Sequence, residues 1–142
     1  MIKKNMRMLM ISFLAVFLFL PANTALAENP IVIGAPLSTA FLYGWDAERG
    51  MTLAIEEINA SGGVQVGDAK RPFKVEVIDT RDLEPGVPVS EALLAVEKLI
   101  LDKKADFIVG GPVRSEAALA AMPLLSKYKG LADTLFSIPS TG

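Results

Sequence analysis

The residues able to do chemistry in this 142-residue chain are few in kind. It has no Cys and no His. That removes a thiol nucleophile, disulfides, thiolate or imidazole metal ligands, and the Ser-His-Asp triad. Carboxylates, hydroxyls, Arg and Tyr remain. Asp79, Asp82 and Glu84 fall close together. Such a group can ligate a metal or act as an acid–base pair. It reads more simply as a solvated loop with carboxylates placed ahead of a helix. No metal site, no cofactor and no catalytic group are therefore expected, and the chain is not expected to be an enzyme.

The stretch Gly110-Gly111-Pro112-Val113-Arg114-Ser115-Glu116 is richer. Its glycines let the backbone approach a ligand closely. Ser115 is placed to cap a following helix, and free N–H groups at a helix start can hold an anion such as a carboxylate. The same residues also suit a plain cap, with Glu116 complementing the helix dipole. Tyr43 and Trp45 offer rings that could wall an apolar pocket or pack under a helix. Arg81 and Arg114 are candidate contacts for an anionic ligand, although Arg81 is better suited to a surface ion pair. A dinucleotide site is excluded, because a third glycine is missing and the pair does not follow the first strand.

The elements that must position these groups begin after residue 27. Lys3, Lys4 and Arg7 precede an apolar run from Met8 to Leu20, broken only by Ser12, and Ala25-Leu26-Ala27 follows. A charged start, an apolar middle and a small-x-small end form a signal peptide over 1–27. The run is short for a spanning helix, which needs about 20 apolar residues. Residues 28–142 are then expected to form one extracytoplasmic lobe. With 14 Lys and Arg against 16 Asp and Glu, the chain offers no basic face for nucleic acid.

Within that lobe, strand and helix periods alternate. Ile31–Ala35 is an apolar strand that Pro36 should end. Gly44–Asn59 is an amphipathic helix whose inner stripe is Ala47, Met51, Ala54, Ile55 and Ile58. Gly62 and Gly63 supply its C-cap. Val64 to Arg71 is polar and turn-like. Phe73–Ile78 is a second strand. A second helix buries Val89, Ala92, Leu93, Val96, Leu99 and Ile100. Phe107–Val109 is a third strand. A third helix, from Ser115 to Tyr128, should be kinked or divided at Pro123. Thr134–Pro139 is a fourth strand. The order β-α-β-α-β-α-β predicts an α/β fold with a doubly wound parallel sheet. With strand order 2-1-3-4, a ligand belongs beyond the carboxyl ends of the first and third strands. The loops Pro36–Tyr43 and Gly111–Ser115 meet there.

Several stretches resemble the substrate-binding proteins of branched-chain amino acid ABC transporters, the leucine/isoleucine/valine-binding type with the periplasmic binding protein type I fold. They are Ile31-Val32-Ile33-Gly34-Ala35-Pro36-Leu37-Ser38, Tyr43-Gly44 with Gly50, and Ala54-Ile55-Glu56-Glu57-Ile58-Asn59-Ala60-Ser61-Gly62-Gly63. Val75 to Asp82, Phe107-Ile108-Val109-Gly110-Gly111 and Ser140-Thr141-Gly142 follow in family order. The resemblance implies two α/β lobes around a cleft, with this chain supplying an incomplete first lobe. It implies capture of a small molecule, an amino acid or similar, for delivery to a membrane ABC permease. A ligand-binding ectodomain of a sensor or receptor is the alternative. Ser115, with the loop from Val113 to Glu116, resembles the holder of the ligand carboxylate. Tyr43 resembles the aromatic wall of the side-chain pocket, and Thr141 resembles part of the next ligand loop. Arg114 and Glu116 stand where family members often carry small hydroxyl residues, which points to a more polar ligand.

Overall fold

The computed structural model describes residues 29–128 and the backbone of 133–135. The expected signal segment and Thr141 lie outside the described residues. Four parallel strands form one sheet: β1 (Ile31–Leu37), β4 (Phe73–Asp79), β5 (Phe107–Val109) and β6 (Asp133–Leu135), in the spatial order β4-β1-β5-β6. Three helices connect them: α1 (Leu42–Ala60), α2 (Val89–Leu101) and α3 (Ser115–Lys127). The α/β class is that read from the sequence, and the strand order is the one assumed there in placing the ligand edge. The chain runs outward from β1 to β4, then crosses back over β1 to β5, so the direction of winding reverses between β1 and β5.

Pro36 does not end β1. The strand runs on to Leu37, with Pro36 opposite Ile78 and fully buried. Proline is tolerated here because alternate residues of β1 turn their N–H groups to opposite sides. Ile31 donates to the β4 side, to the carbonyl of Pro72, and Val32 donates to the β5 side, to Asp106. By that alternation Pro36 aims its missing N–H at β5, where pairing has stopped at Gly34 opposite Ile108.

The segment expected to be turn-like is a hairpin, β2 (Val64–Val66) paired antiparallel with β3 (Ala69–Arg71). Gly67-Asp68 is a two-residue hairpin loop with glycine first, where a positive φ is needed, and Gly67 has φ +58. Just before it, α1 ends as expected. The Gly62 N–H meets the carbonyl of Asn59 at 2.9 Å, and the Gly63 N–H meets that of Ile58 at 2.9 Å. This is the paired bonding of a Schellman cap. The Asn59 side chain then clamps both backbone groups of Phe73 at 2.8 Å, fixing the helix end to the start of β4.

The main core lies under α2. Val96, Leu99, Ile100, Ala105 and Ile108 form a buried cluster, with Val32, Ile78, Leu124 and Leu125 packed against it. Each large side chain buried there contributes on the order of 2 kcal/mol. The α2 stripe matches expectation at Ala92, Val96, Leu99 and Ile100, with Ala95 added and Val89 and Leu93 only half-buried. Helix α3 is unbroken across Pro123. Pro123 is exposed, and so is Leu119, whose carbonyl loses its helical donor. Water can serve that carbonyl, which removes much of the penalty for proline.

Helix α1 departs from the expected stripe. Only Gly44 and Ile55 are buried, Met51 is half-buried, and Ala47, Ala54 and Ile58 are exposed. Glu48, Thr52 and Asn59 are half-buried instead. At 3.6 residues per turn the contact line is rotated by about 60° from the apolar stripe. Gly44 accounts for the rotation. A Cβ there would lie 2.1 Å from the Ser38 carbonyl oxygen, so the missing side chain lets α1 sit directly on the loop after β1. Gly44→Ala is expected to force the two apart and destabilise the chain by about 2 kcal/mol. Denaturant unfolding checks this, with Gly50→Ala as control, because Gly50 has open space around its missing Cβ.

Candidate functional site

The loops after β1, β4 and β5 are joined at one buried carboxylate. Asp82, just past β4, is 2% exposed, and Ser38 and Thr80 beside it are equally buried. One oxygen of Asp82 accepts from Ser38 Oγ at 2.8 Å and from Thr80 Oγ1 at 2.5 Å. The other accepts the backbone N–H of Arg114 at 2.7 Å. The backbone N–H of Val113 donates to the same carboxylate. Ser38 belongs to the loop after β1, Thr80 and Asp82 to the loop after β4, and Val113 and Arg114 to the loop after β5.

Burial pushes the Asp82 carboxyl up, because it penalises the charged form. The donors from Arg114, Thr80, Ser38 and Val113 together outweigh burial and hold its pKa below the ordinary 3.8. The expectation of a solvated acidic loop is therefore corrected at Asp82. Asp79 closes β4 and Glu84 lies in the loop, both half-buried. Asp79 accepts the backbone N–H groups of Thr39 at 3.2 Å and Arg81 at 3.0 Å. Glu84 takes a two-pronged ion pair from Arg81, at 3.1 and 2.8 Å. Arg81 is thus committed to a surface pair. Among the described residues no cluster of three metal-ligating side chains occurs.

The candidate site residues take different places around this hub. Ser115 is the first residue of α3 and is exposed; Arg114 occupies the N-cap position, and no side chain caps the helix. The expectation that Ser115 caps the helix is corrected: Arg114, whose backbone is extended and whose carbonyl accepts from Ala118, holds the N-cap position, and Ser115 comes one residue too late. Arg114 is a strap. Its guanidinium reaches the carbonyl of Val87 at 3.3 Å and that of Asp82 at 3.4 Å, and it pairs with Glu116. Arg114 and Glu116 thus satisfy one another. Tyr43 is 75% exposed in the first turn of α1, beside Gly44 and its contact with Ser38. Trp45 is exposed as well, with the Arg49 guanidinium 4.5 Å from its ring centre. Thr141 lies outside the described residues.

Sequence reasoning missed Ser38, Thr80 and Asp82 as a unit. The available signal was a short polar residue directly after each of two apolar strands. Gly110 behaves as its type requires, with φ +87 where β5 turns into the loop.

Comparison with known families and with curated proteins found no match. The family resemblance therefore rests on the residues themselves. Among the described residues no helix is long and apolar enough to cross a membrane.

The hub makes stability depend on pH with a definite sign. A carboxyl whose folded pKa is depressed contributes stability above its unfolded pKa and loses it as pH falls through the folded value. Asp82→Asn is expected to cost about 3 kcal/mol near neutral pH, by placing an NH2 among donors. The gap between wild type and variant should narrow as pH drops below 3.8. Urea unfolding at several pH values measures it.

Proposed function

We propose that this chain is a ligand-binding lobe of an extracytoplasmic solute-binding protein. The lobe is doubly wound, belongs to a two-lobed protein, and captures an amino acid or similar small molecule for a membrane ABC permease. It does no covalent chemistry. The observation that carries this reading is the convergence of three carboxyl-end loops on Asp82 at the place where the strand order reverses. Open parallel sheets bind ligands at that edge. The hub sets the starting points of both ligand-facing segments: Tyr43 follows the Ser38 loop, and Ser115 follows Arg114.

In this reading the Ser115 hydroxyl and the first N–H groups of α3 hold the ligand carboxylate. Those N–H groups have no partner within a helix. Asp82 is fully occupied by its own donors, so it anchors the loop without competing for the ligand. Tyr43 walls the side-chain pocket, Thr141 adds a polar contact from the next loop, and the second lobe supplies the ammonium partner. The Arg114–Glu116 pair borders the site with charge and favours a polar ligand.

Titrating the 15N-labelled chain with a panel of amino acids checks the reading. One lobe alone should bind weakly, with Kd about 1 mM. Amide shifts are expected at 36–43 and 110–117 for at least one ligand, and Ser115→Ala should reduce them. Shifts confined to other segments, or none across the panel, would contradict it.

A further inference from the structure

Among the described residues three non-glycine residues have a positive φ: Asn29, Arg81 and Lys104. Asn29 and Lys104 precede β1 and β5, at the amino ends of the strands. Arg81, with φ +53, is the one at the carboxyl edge, in the loop after β4. A Cβ disfavours this left-handed backbone by about tenfold, whereas glycine adopts it freely. A residue with a side chain stays there only where its surroundings hold it.

Glu84 does much of that holding. Its backbone N–H donates to the Arg81 carbonyl at 3.0 Å, and its two carboxylate oxygens accept from the Arg81 guanidinium at 3.1 and 2.8 Å. Asp79 accepts the Arg81 N–H at 3.0 Å from the other side. The Arg81 and Glu84 side chains lie at the surface, 51% and 30% exposed. The residues on either side of Arg81 are instead buried. They are Thr80 and Asp82, joined at 2.5 Å within the hub. The left-handed turn therefore lies inside the link between these two hub members. A return of Arg81 to negative φ would swing Asp82 away from Thr80.

We propose that Arg81 and Glu84 form a surface latch that keeps a strained turn closed and so keeps Asp82 in the hub. Releasing the latch lets the turn relax and loosens the loops after β1, β4 and β5 together. The latch acts on the loops themselves, whatever ligand the edge receives. A charged two-pronged pair suits this role, because its geometry is fixed as well as its strength. Its exposure keeps it weak, so the latch can open without unfolding the α2 core.

Amide hydrogen exchange on the full chain tests this, with the amides of α2 reporting global stability. Arg81→Ala removes the latch and retains a Cβ in the left-handed turn. Amides at 36–43, 79–88 and 110–117 should then exchange about threefold faster, as expected for loss of one exposed ion pair. Glu84→Gln, which keeps the backbone bond and removes the charge, should do the same. Arg81→Gly also removes the pair, yet it relieves the turn, so these amides should exchange no faster than in the wild type. In all three variants α2 should keep its protection. An ion pair without strain would make Arg81→Gly as loose as Arg81→Ala, and that result would overturn the proposal. So would wild-type rates in Glu84→Gln, or faster exchange confined to 79–88 in Arg81→Ala.

Discussion

A single buried negative charge organises the functional edge of this molecule. Taking a carboxylate out of water is expensive, and among the described residues no cation forms an ion pair with the Asp82 carboxylate to offset the cost. Two hydroxyls and two backbone N–H groups do so instead. Each donor comes from a loop that has just left the carboxyl end of a strand. Removing the carboxylate would take from these four donors the acceptor they share. The arrangement in which all three loops meet Asp82 places Tyr43 and Ser115 on the same edge of the sheet.

The rest of the fold supports this constraint from below. Strand β1 lies between β4 and β5, so the loops after all three strands start side by side. The α2 core fixes the heights of β1 and β5 through Gly34, Leu99 and Ile108, which crowd one another. Gly44 brings α1 down onto the Ser38 carbonyl, and Arg114 straps the loop after β5 to Val87. Rigidity thus passes from an apolar core to a polar edge. The residues left exposed at that edge are Tyr43 and Ser115, the pair proposed to meet a ligand.

Much of this was legible in the sequence. Hydrophobic periods placed the principal elements, and the short strand Phe107–Val109 was read to its ends. Alternation of type implied the parallel sheet, while its order was an assumption that the structure matches. The misreadings have particular causes. Pro36 was expected to stop β1, because the side of the strand its missing N–H faces is a tertiary fact. The inner stripe of α1 was misplaced because Gly44 carries no hydrophobic signal, yet its small size decides how the helix lies. The hairpin was overlooked because its strands are three residues each and mostly polar, although Gly67-Asp68 announced the turn. Asp82 looked like any carboxylate in a loop. Its burial follows from Ser38, Thr80 and Arg114 converging on it, and those residues are distant in sequence.

The claim that one carboxylate holds three loops is tested most directly by amide hydrogen exchange on the wild type and on Asp82→Ala. If Asp82 is the common anchor, the variant should exchange faster at 36–43, 79–88 and 110–117 together. Amides of α2 and of Ile108 should keep their protection. Faster exchange confined to 79–88, with the other two loops unchanged, would show that they are held independently and would contradict the account.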